Sequence, residues 1–325
     1  MFSNSRLLAV AALAVAFALG AGAGPVGVAE AQQPPGPHGR PEPEMLGIHW
    51  ARGGGAPSSG KPSPLLTYHN GPILPAATVS PIFWGAKFGT DFLGDKQSGL
   101  NLFYAGANGS SYMGTNTEYN GIGGYVTTTV HANAVVTDLS KGPTGAPKTS
   151  TILAEVQKLV TSGVAAAPNS DGSSYYPVYI DGSRGTAGYC AWHSWGSVAY
   201  DYGDGAGTVT VPIQFGFFFN LDGDSGCDPQ STVANQSQGL KALANVSAHE
   251  LSEAVTDPRG TGWYDRSGYE NSDKCAWTFG GPSIQFTNGT AWKVQGNWSN
   301  AAYTAKAGYT SGGKQVIGCI DGTNP

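Results

Sequence analysis

The sequence predicts one domain of the α+β class, with a mixed β-sheet and one long helix. Residues 176–180 and 208–219 are apolar, β-prone runs of the kind that form buried strands. Residues 234–257 have helical periodicity, and Pro258 stops the helix that they form. Because strands and helices follow one another without strict βαβ alternation, we expect them to build a single α+β core.

Three shorter segments extend this pattern. Residues 77–84 are apolar and β-prone, and Pro81 within them indicates an edge strand or a bulge. Residues 125–136 alternate Val and Thr, which predicts a strand or a hairpin. Residues 149–160 place apolar side chains on one helical face behind Ser and Thr residues that can cap the start.

The N-terminal segment has the layout of a secretory signal peptide. Arg6 is followed by an apolar run over residues 7–19, and the small-residue pattern Ala29-Glu30-Ala31 offers a cleavage site. The alternative is an uncleaved anchor helix, but the run is short and interrupted by glycine. We therefore expect residues 1–31 to be removed and the mature chain to be secreted into an extracellular, oxidising compartment.

Residues 32–64 predict a linker or disordered arm before the folded domain. Eight prolines and the run Gly53-Gly54-Gly55 fall in this stretch, which has too little apolar surface to order itself. We call it the Pro/Gly-rich arm, and we place the domain at residues 65–325. The role of the arm stays open between a tether, a spacer and a pro-segment.

Four cysteines in an exported chain indicate disulfide bonds. No two of them have the C-x-x-C spacing of a zinc-thiolate site. Three pairings are possible, and we expect the sequential one, which closes two loops of similar length: Cys190 with Cys227, and Cys275 with Cys319.

Charge and hydropathy exclude two classes of protein. Only 12% of the residues are charged, and 17 basic against 22 acidic side chains give a formal net charge of -5. A nucleic-acid binder needs a basic face to neutralise phosphates, so this class is excluded. After the N-terminal segment no stretch approaches the length of about twenty apolar residues that a membrane span requires.

The long helix carries the most informative motif, His249-Glu250-Leu251-Ser252-Glu253. Residues four apart on a helix lie one above the other, so His249 and Glu253 can reach the same metal ion. Glu250 lies beside them, where the inner Glu of H-E-x-x-H metalloproteases acts as general base on metal-bound water. A carboxylate in place of the second His shifts the site toward harder ions. The simpler alternative is a polar stripe on a surface helix.

A third ligand is expected from residues just after the helix. Glu270 and Asp273 follow His249 by 21 and 24 residues, and Cys275 would pin their segment through its disulfide. The helix resembles that of thermolysin-type zincins, which take a Glu ligand from a similar distance downstream. This resemblance favours Glu270 slightly over Asp273, although either residue could instead serve in a turn.

His193 is the other histidine with a candidate role. It lies in Gly188-Tyr189-Cys190-Ala191-Trp192-His193, beside a predicted disulfide and among aromatic residues. It could replace the missing second His as a ligand, or donate a hydrogen bond to a transition state. A purely structural hydrogen-bonding role is the alternative. His49 falls in the Pro/Gly-rich arm, so the sequence gives it no role.

A series of short motifs follows one order along the chain. It comprises Leu66-Thr67-Tyr68-His69-Asn70-Gly71-Pro72-Ile73-Leu74, Phe83-Trp84-Gly85, Gly188-Tyr189-Cys190 with His193, His249-Glu250-Leu251 with Glu253, Thr256-Asp257-Pro258, Trp263-Tyr264, Glu270 with Asp273 and Cys275, and Cys319. Together these motifs resemble the Exordium/phosphate-induced protein family. The resemblance extends from Leu65 to Cys319 and implies a protein secreted to the cell exterior or wall. Plant members are associated with growth responses, and the family brings no established activity with it.

Two functional hypotheses follow from these residues. The first is a secreted zincin-like metallohydrolase, a peptidase that holds one divalent ion, zinc in the first place or else calcium or manganese. The second is a non-catalytic extracellular protein that uses the same scaffold to bind a cell-wall component or a partner. Both fit a peptide or cell-wall ligand, and neither fixes an oligomeric state.

Overall fold

The computed structural model describes residues 42–54 and 64–323, so the predicted signal peptide and most of the Pro/Gly-rich arm lie outside the described residues. The helices are α1 Lys96–Ala107, α2 Ser111–Gly114, α3 Thr149–Thr161, α4 Gln238–Thr256 and α5 Asn300–Thr304, with 3₁₀ turns at Ala86–Gly89, Asp91–Leu93 and Asp273–Cys275. The strands are β1 Leu46–Trp50, β2 Thr67–Tyr68, β3 Ala77–Val79, β4 Ile82–Trp84, β5 Asn120–Gly121, β6 Gly124–Tyr125, β7 Val130–Ala132, β8 Val136–Asp138, β9 Ser174–Ser183, β10 Tyr189–Asp201, β11 Thr208–Asn220, β12 Trp263–Tyr264, β13 Ile284–Gln285, β14 Ala291–Trp292, β15 Asn297–Trp298, β16 Gly308–Ser311, β17 Lys314–Ile317 and β18 Cys319–Ile320.

An eight-stranded mixed sheet forms the centre of the fold, which confirms the α+β class. Its order is β1-β10-β11-β9-β3-β7, and β4 and β8 continue the lines of β3 and β7. Strands β9, β11, β3, β4, β7 and β8 pair in parallel, whereas β10 is antiparallel to β11 and β1 is antiparallel to β10. Strands β9 and β11 are buried along most of their length, as expected for strands covered on both faces.

Helices cover the two faces of this sheet. On β10, Gly196 faces Leu153 of α3, whereas His193 faces α4. Because successive side chains of a strand point to opposite faces, α3 and α4 lie on opposite sides of the sheet. Tyr179 of β9 bonds to Ser247 of α4, whose hydroxyl oxygen lies 2.8 Å away. The α4 side of the sheet therefore brings β10 next to the helix with the candidate site.

The predicted helices are confirmed, with small differences at their ends. Helix α3 covers residues 149–161 and buries Ile152, Val156 and Val160. Helix α4 begins later than predicted, at Gln238, because the Ser237 hydroxyl accepts a hydrogen bond from the Leu240 N–H and caps the first turn.

Two of the strand predictions need correction. Residues 77–84 form β3 and β4 with a break at Pro81, but the two strands lie inside the sheet between β9 on one side and β7 and β8 on the other. Residues 125–136 do not form a hairpin, because β7 pairs in parallel with β3 and the following β8 pairs in parallel with β4. The alternation of Val and Thr therefore indicates β-strands, but a local pattern does not show which strand each of them pairs with.

The prediction of a linker over residues 32–64 is wrong for part of its length. Residues 46–50 form β1, which pairs with β10, and His49 is fully buried. No proline occurs between Pro43 and Pro57, so this stretch keeps the backbone N–H groups that a strand needs. Averaging over the whole arm hid this short, proline-free segment.

Both predicted disulfides are present. Cys190 pairs with Cys227, and Cys275 pairs with Cys319. Within the described residues, no helix combines the length and the apolar composition needed to cross a bilayer.

Candidate metal centre

Helix α4 is buried along almost its entire length, which excludes a polar stripe on a surface helix. His249, Glu250 and Glu253 are each 0% exposed. The helix ends at Asp257, whose carboxylate accepts hydrogen bonds from the Thr261 and Gly262 N–H groups at 2.7 and 2.6 Å. This turn leads the chain back along the helix toward the predicted downstream ligands.

Glu253 lies in the middle of a buried cluster that contains every predicted site residue. Its Oε2 is 3.0 Å from His249 Nε2 and 3.8 Å from His193 Nδ1. We call this cluster the acidic centre, and its members are His193, His249, Glu250, Glu253, Glu270 and Asp273.

Two overlapping groups within the acidic centre have the spacing of metal ligands. His193, Glu250 and Glu253 form one group, and His249, Glu253 and Asp273 form the other. In each group the donor atoms lie within 4.8 Å of one another. Glu253 belongs to both groups, so a single ion beside this carboxylate could draw ligands from either.

The 265–273 segment presents the two downstream carboxylates. Asp265 folds the segment by accepting hydrogen bonds from the Ser267 and Tyr269 N–H groups at 2.8 and 3.1 Å. The Asp273 N–H then donates to Glu253 Oε1 at 2.9 Å. This bond ties the downstream segment to the helix.

Asp273 and Glu270 lie on different sides of the acidic centre. Asp273 Oδ1 is 3.7 Å from His249 Nε2, whereas Glu270 Oε2 is 3.9 Å from His193 Nε2. Asp273, and not Glu270, belongs to the group that contains His249. The geometry therefore favours Asp273 over the slight sequence preference for Glu270.

His193 faces Glu250 of the acidic centre with its Nδ1 atom. Its Nε2 is 3.3 Å from the backbone carbonyl oxygen of Asp257, and its Nδ1 is 3.3 Å from Glu250 Oε2. When Nε2–H donates to the carbonyl, the neutral ring carries its lone pair on Nδ1, which is the form that binds metals. The structure thus favours the ligand role over that of a hydrogen-bond donor.

Burial controls the protonation of the acidic centre. Loss of hydration raises the pKa of Glu250, Glu253, Glu270 and Asp273 well above the ordinary carboxyl value, and neighbouring carboxylates raise it further. Burial also lowers the pKa of His193 and His249 to about 3, so neither ring carries a proton's charge at neutral pH. The centre therefore holds four carboxyl groups with neutral imidazoles between them.

The acidic centre fits a divalent cation. Among residues 42–54 and 64–323, no Lys or Arg lies within 4.0 Å of the four carboxylates, and Lys274 pairs with Asp265 at 3.2 Å. Several buried polar atoms of the centre have no hydrogen-bond partner in the described residues: His249 Nε2, Glu250 Oε1, Glu253 Oε2 and Glu270 Oε2. Unpaired buried polar atoms are costly, and one metal ion would satisfy several of them together.

Gln295 and His49 support the centre from outside, and no pattern in the sequence indicated either residue. The Gln295 amide nitrogen donates to His249 Nδ1 at 2.9 Å and to the Ser272 carbonyl at 2.8 Å. Its oxygen accepts from His49 Nε2 at 3.0 Å, and the His49 ring lies 4.3 Å from the His249 ring. His49 and Gln295 are 246 positions apart in the chain, so only the fold brings them together.

The Gln295 contact has a consequence for metal binding. In the amide orientation described, Nδ1 of His249 accepts, and the ring proton lies on Nε2, which faces Glu253. A metal bound at Nε2 needs the other tautomer, in which Nδ1–H donates to an oxygen. A half-turn of the Gln295 amide would present that oxygen to His249; it would break the bonds to the Ser272 carbonyl and from the Trp277 N–H, and His49 Nε2 would then have to accept.

A cavity of about 600 Å³ opens beside the acidic centre. Glu270 and Asp273 line its inner side, Tyr264 lines its wall, and Gly47 of β1 lies between it and Glu253. The cavity gives a small segment of a larger ligand room to approach the carboxylates.

No family model, curated protein or solved structure matches this chain. The resemblance to the Exordium family therefore stays a prediction, and the function has to be inferred from the acidic centre itself.

Proposed function

We propose that the chain is a zincin-like, metal-dependent hydrolase that cleaves peptide bonds. The observation that carries the proposal is the acidic centre: two neutral imidazoles, three buried glutamates and the largely buried Asp273 lie together, and no Lys or Arg of the described residues lies within 4.0 Å of these carboxylates. Two disulfides in the fold support the accompanying proposal that the protein is secreted, because such bonds persist in oxidising compartments.

His249, Glu253 and Asp273 are the proposed metal ligands, because their donor atoms lie within 4.8 Å of one another, and His193 is the alternative ligand through the group that it forms with Glu250 and Glu253. An imidazole nitrogen in either group favours zinc or manganese over calcium, which takes oxygen ligands. A divalent ion held there would polarise the scissile carbonyl and acidify water. Glu270 lies behind His193, where it can hold that ring in place.

Glu250 is the proposed general base. It lies 3.3 Å from His193, and burial raises its pKa above that of an ordinary glutamate, so it holds a proton more readily than a surface carboxyl group does. Water adds its oxygen to the carbonyl carbon and gives one proton to Glu250. The C–N bond then breaks, and Glu250 passes that proton to the leaving amine.

The experiment combines metal analysis with digestion of a peptide library by the purified full chain. We expect close to one ion per chain and cleavage that depends on added zinc or manganese. Glu250→Gln should lower the cleavage rate by about 100-fold or more while the metal content stays unchanged. Glu155→Gln, which alters a buried carboxyl group outside the centre, is the matched control and should leave both measurements unchanged.

A second candidate function is a non-catalytic extracellular binding protein. It is favoured by the position of β1, which covers the acidic centre with Gly47 against Glu253 and His193. Metal binding without cleavage of any library peptide, in wild type and in variants with β1 displaced, would support this candidate and contradict the hydrolase.

A further inference from the structure

Strand β1 lies on the edge of the sheet next to the acidic centre. It pairs antiparallel with β10, where Leu46 is opposite His193, His49 is opposite Ala191 and Trp50 is opposite Tyr189. Between Leu46 and His49 the register is irregular, because three steps along β1 match two steps along β10. This bulge turns the β1 backbone toward the side chains of the centre.

Gly47 forms the bulge and fills the space in front of Glu253. Its φ of +47° is in the left-handed region, which favours glycine. A Cβ atom at this position would lie 2.0 Å from Glu253 Oε2 and 2.5 Å from the His193 ring. Only a residue without a side chain can therefore occupy this point while the strand stays in place.

Polar contacts at both ends, and the buried His49 side chain between them, hold β1 in this position, and opening the strand also breaks the contact of His49 with Gln295. At its start, the Glu42 carboxylate accepts hydrogen bonds from the Ser150 N–H at 2.9 Å and the Thr149 hydroxyl at 2.8 Å. At its end, the Trp277 ring N–H donates to the Trp50 carbonyl at 2.8 Å. Such contacts at the edge of a sheet can open without disrupting the core.

We infer that β1 is an intramolecular occupant of the ligand cleft, and that its displacement exposes the edge of β10 to an extended peptide with a glycine facing Glu253. The described chain is then the closed, latent form. This inference rests on the proposed function for the identity of the ligand as a polypeptide. Backbone pairing would supply the affinity, as it does when a peptide adds a strand to an exposed sheet edge.

The test measures binding of a labelled heptapeptide, Glu-Met-Leu-Gly-Ile-His-Trp, which has the sequence of residues 44–50. In wild type, β1 competes for the cleft, so the apparent affinity is reduced by the small fraction of open chains. Gly47→Ala should disfavour β1 in the cleft and tighten binding by about 10-fold or more. The same peptide with Ala in place of Gly should not compete.

Gly188→Ala is the matched control in the same strand pair. A Cβ at Gly188 would lie 3.6 Å from the Trp50 ring, which is an ordinary contact, so this variant should bind like wild type. Glu42→Ala provides a second test far from the carboxylates of the centre. It removes the first anchor of β1 and should tighten binding by a few-fold, even if Gly47→Ala does not fold.

The outcomes separate this inference from the proposed function. A folded Gly47→Ala, or Glu42→Ala in its absence, that binds the peptide no better than wild type overturns the inference. If wild type also cleaves peptides, the hydrolase proposal survives that result. Tighter binding without cleavage supports the inference and contradicts the hydrolase.

Discussion

Two acidic clusters in this protein differ in how their charge is neutralised, and only the second is almost entirely buried. Near α3, Asp138 and Glu155 both contact Lys158, whose Nζ lies 2.5 and 2.6 Å from their oxygens. In the acidic centre, four carboxyl groups converge on neutral histidines, and no Lys or Arg of the described residues joins them. The chain thus supplies a lysine to the first cluster, whereas its described residues supply none to the second.

The pKa directions follow this difference. In the α3 cluster, hydrogen bonds from Glu155 and Lys158 outweigh burial and hold the pKa of Asp138 below its usual range, and the pKa of Glu155 rises to about 7 through burial and its contact with Asp138. In the acidic centre all four carboxyl pKa values rise through burial and neighbouring carboxylates, and the charge of Lys274 offsets only part of this rise at Asp273. With a single lysine, the pKa of only one carboxyl group of the pair, that of Asp138, therefore falls below its usual value.

The largest effect on metal affinity is expected from a substitution of Glu253, which belongs to both ligand groups of the acidic centre. Glu253→Gln should lower metal affinity by about 100-fold or more, because it removes a ligand and not a supporting contact. Glu155→Gln should leave metal affinity unchanged. Titration calorimetry with zinc and manganese measures both variants; equal affinities would show that the centre does not depend on Glu253.

The next effect concerns pH. Because the pKa values of these carboxyl groups are raised in the folded state, their protonated forms stabilise the metal-free fold below about pH 4.5. This stabilisation is lost as the pH rises through the pKa values of the folded state. A bound ion displaces those protons, so its stabilising effect should grow with pH. The melting-temperature difference between metal-loaded and chelated protein should widen between about pH 5 and about pH 8, and a constant difference would contradict this expectation.

A smaller effect is expected from the support of His249. Gln295→Leu removes the amide oxygen that the metal-binding tautomer needs, and should weaken metal binding by about 10-fold to 100-fold. Gln295→Glu keeps an acceptor and should retain binding. The exposed Gln285→Leu is the control for the change of residue type. If Gln295→Leu binds as tightly as wild type, His249 has another way to hold its proton.

The smallest effect is a pH-dependent change in stability caused by Glu155 of the cluster near α3. Since the folded pKa of Glu155 is raised to about 7, its protonated form favours the fold, and this stabilisation is lost as pH rises through that value. Near pH 8 the free energy of unfolding of Glu155→Gln should therefore be about 1 kcal/mol higher than that of wild type, and near pH 5 the two should be equal. Urea unfolding at the two pH values tests this; an equal difference at both would exclude titration of Glu155 as the cause.

The sequence predicted the parts of the site that depend on local spacing. Helical geometry relates His249 to Glu253, and the turn at Asp257 returns the chain so that Asp273 meets them. The choice between Glu270 and Asp273 could not be made from spacing, because it depends on which carboxylate the Asp265 turn directs toward His249.

The sequence missed residues whose roles arise from distant contacts. His49 and Gln295 meet across 246 positions, and neither is part of a local motif. Strand β10 was also missed, because its Trp, His, Ser and Gly residues do not alternate in polarity. Gly47 carries no side chain, so its close approach to Glu253 becomes visible only when the strand is paired.

The Cys275–Cys319 crosslink sets an order for maturation. Cys275 follows Asp273 by two residues and closes a stretch of 44 positions in sequence. Closing this loop removes unfolded-state entropy worth about 3 to 4 kcal/mol, so the fold that assembles the acidic centre is less stable before oxidation. Thiol oxidation should therefore precede ion uptake, and material recovered from a reducing cytosol should be poor in metal until its thiols are joined.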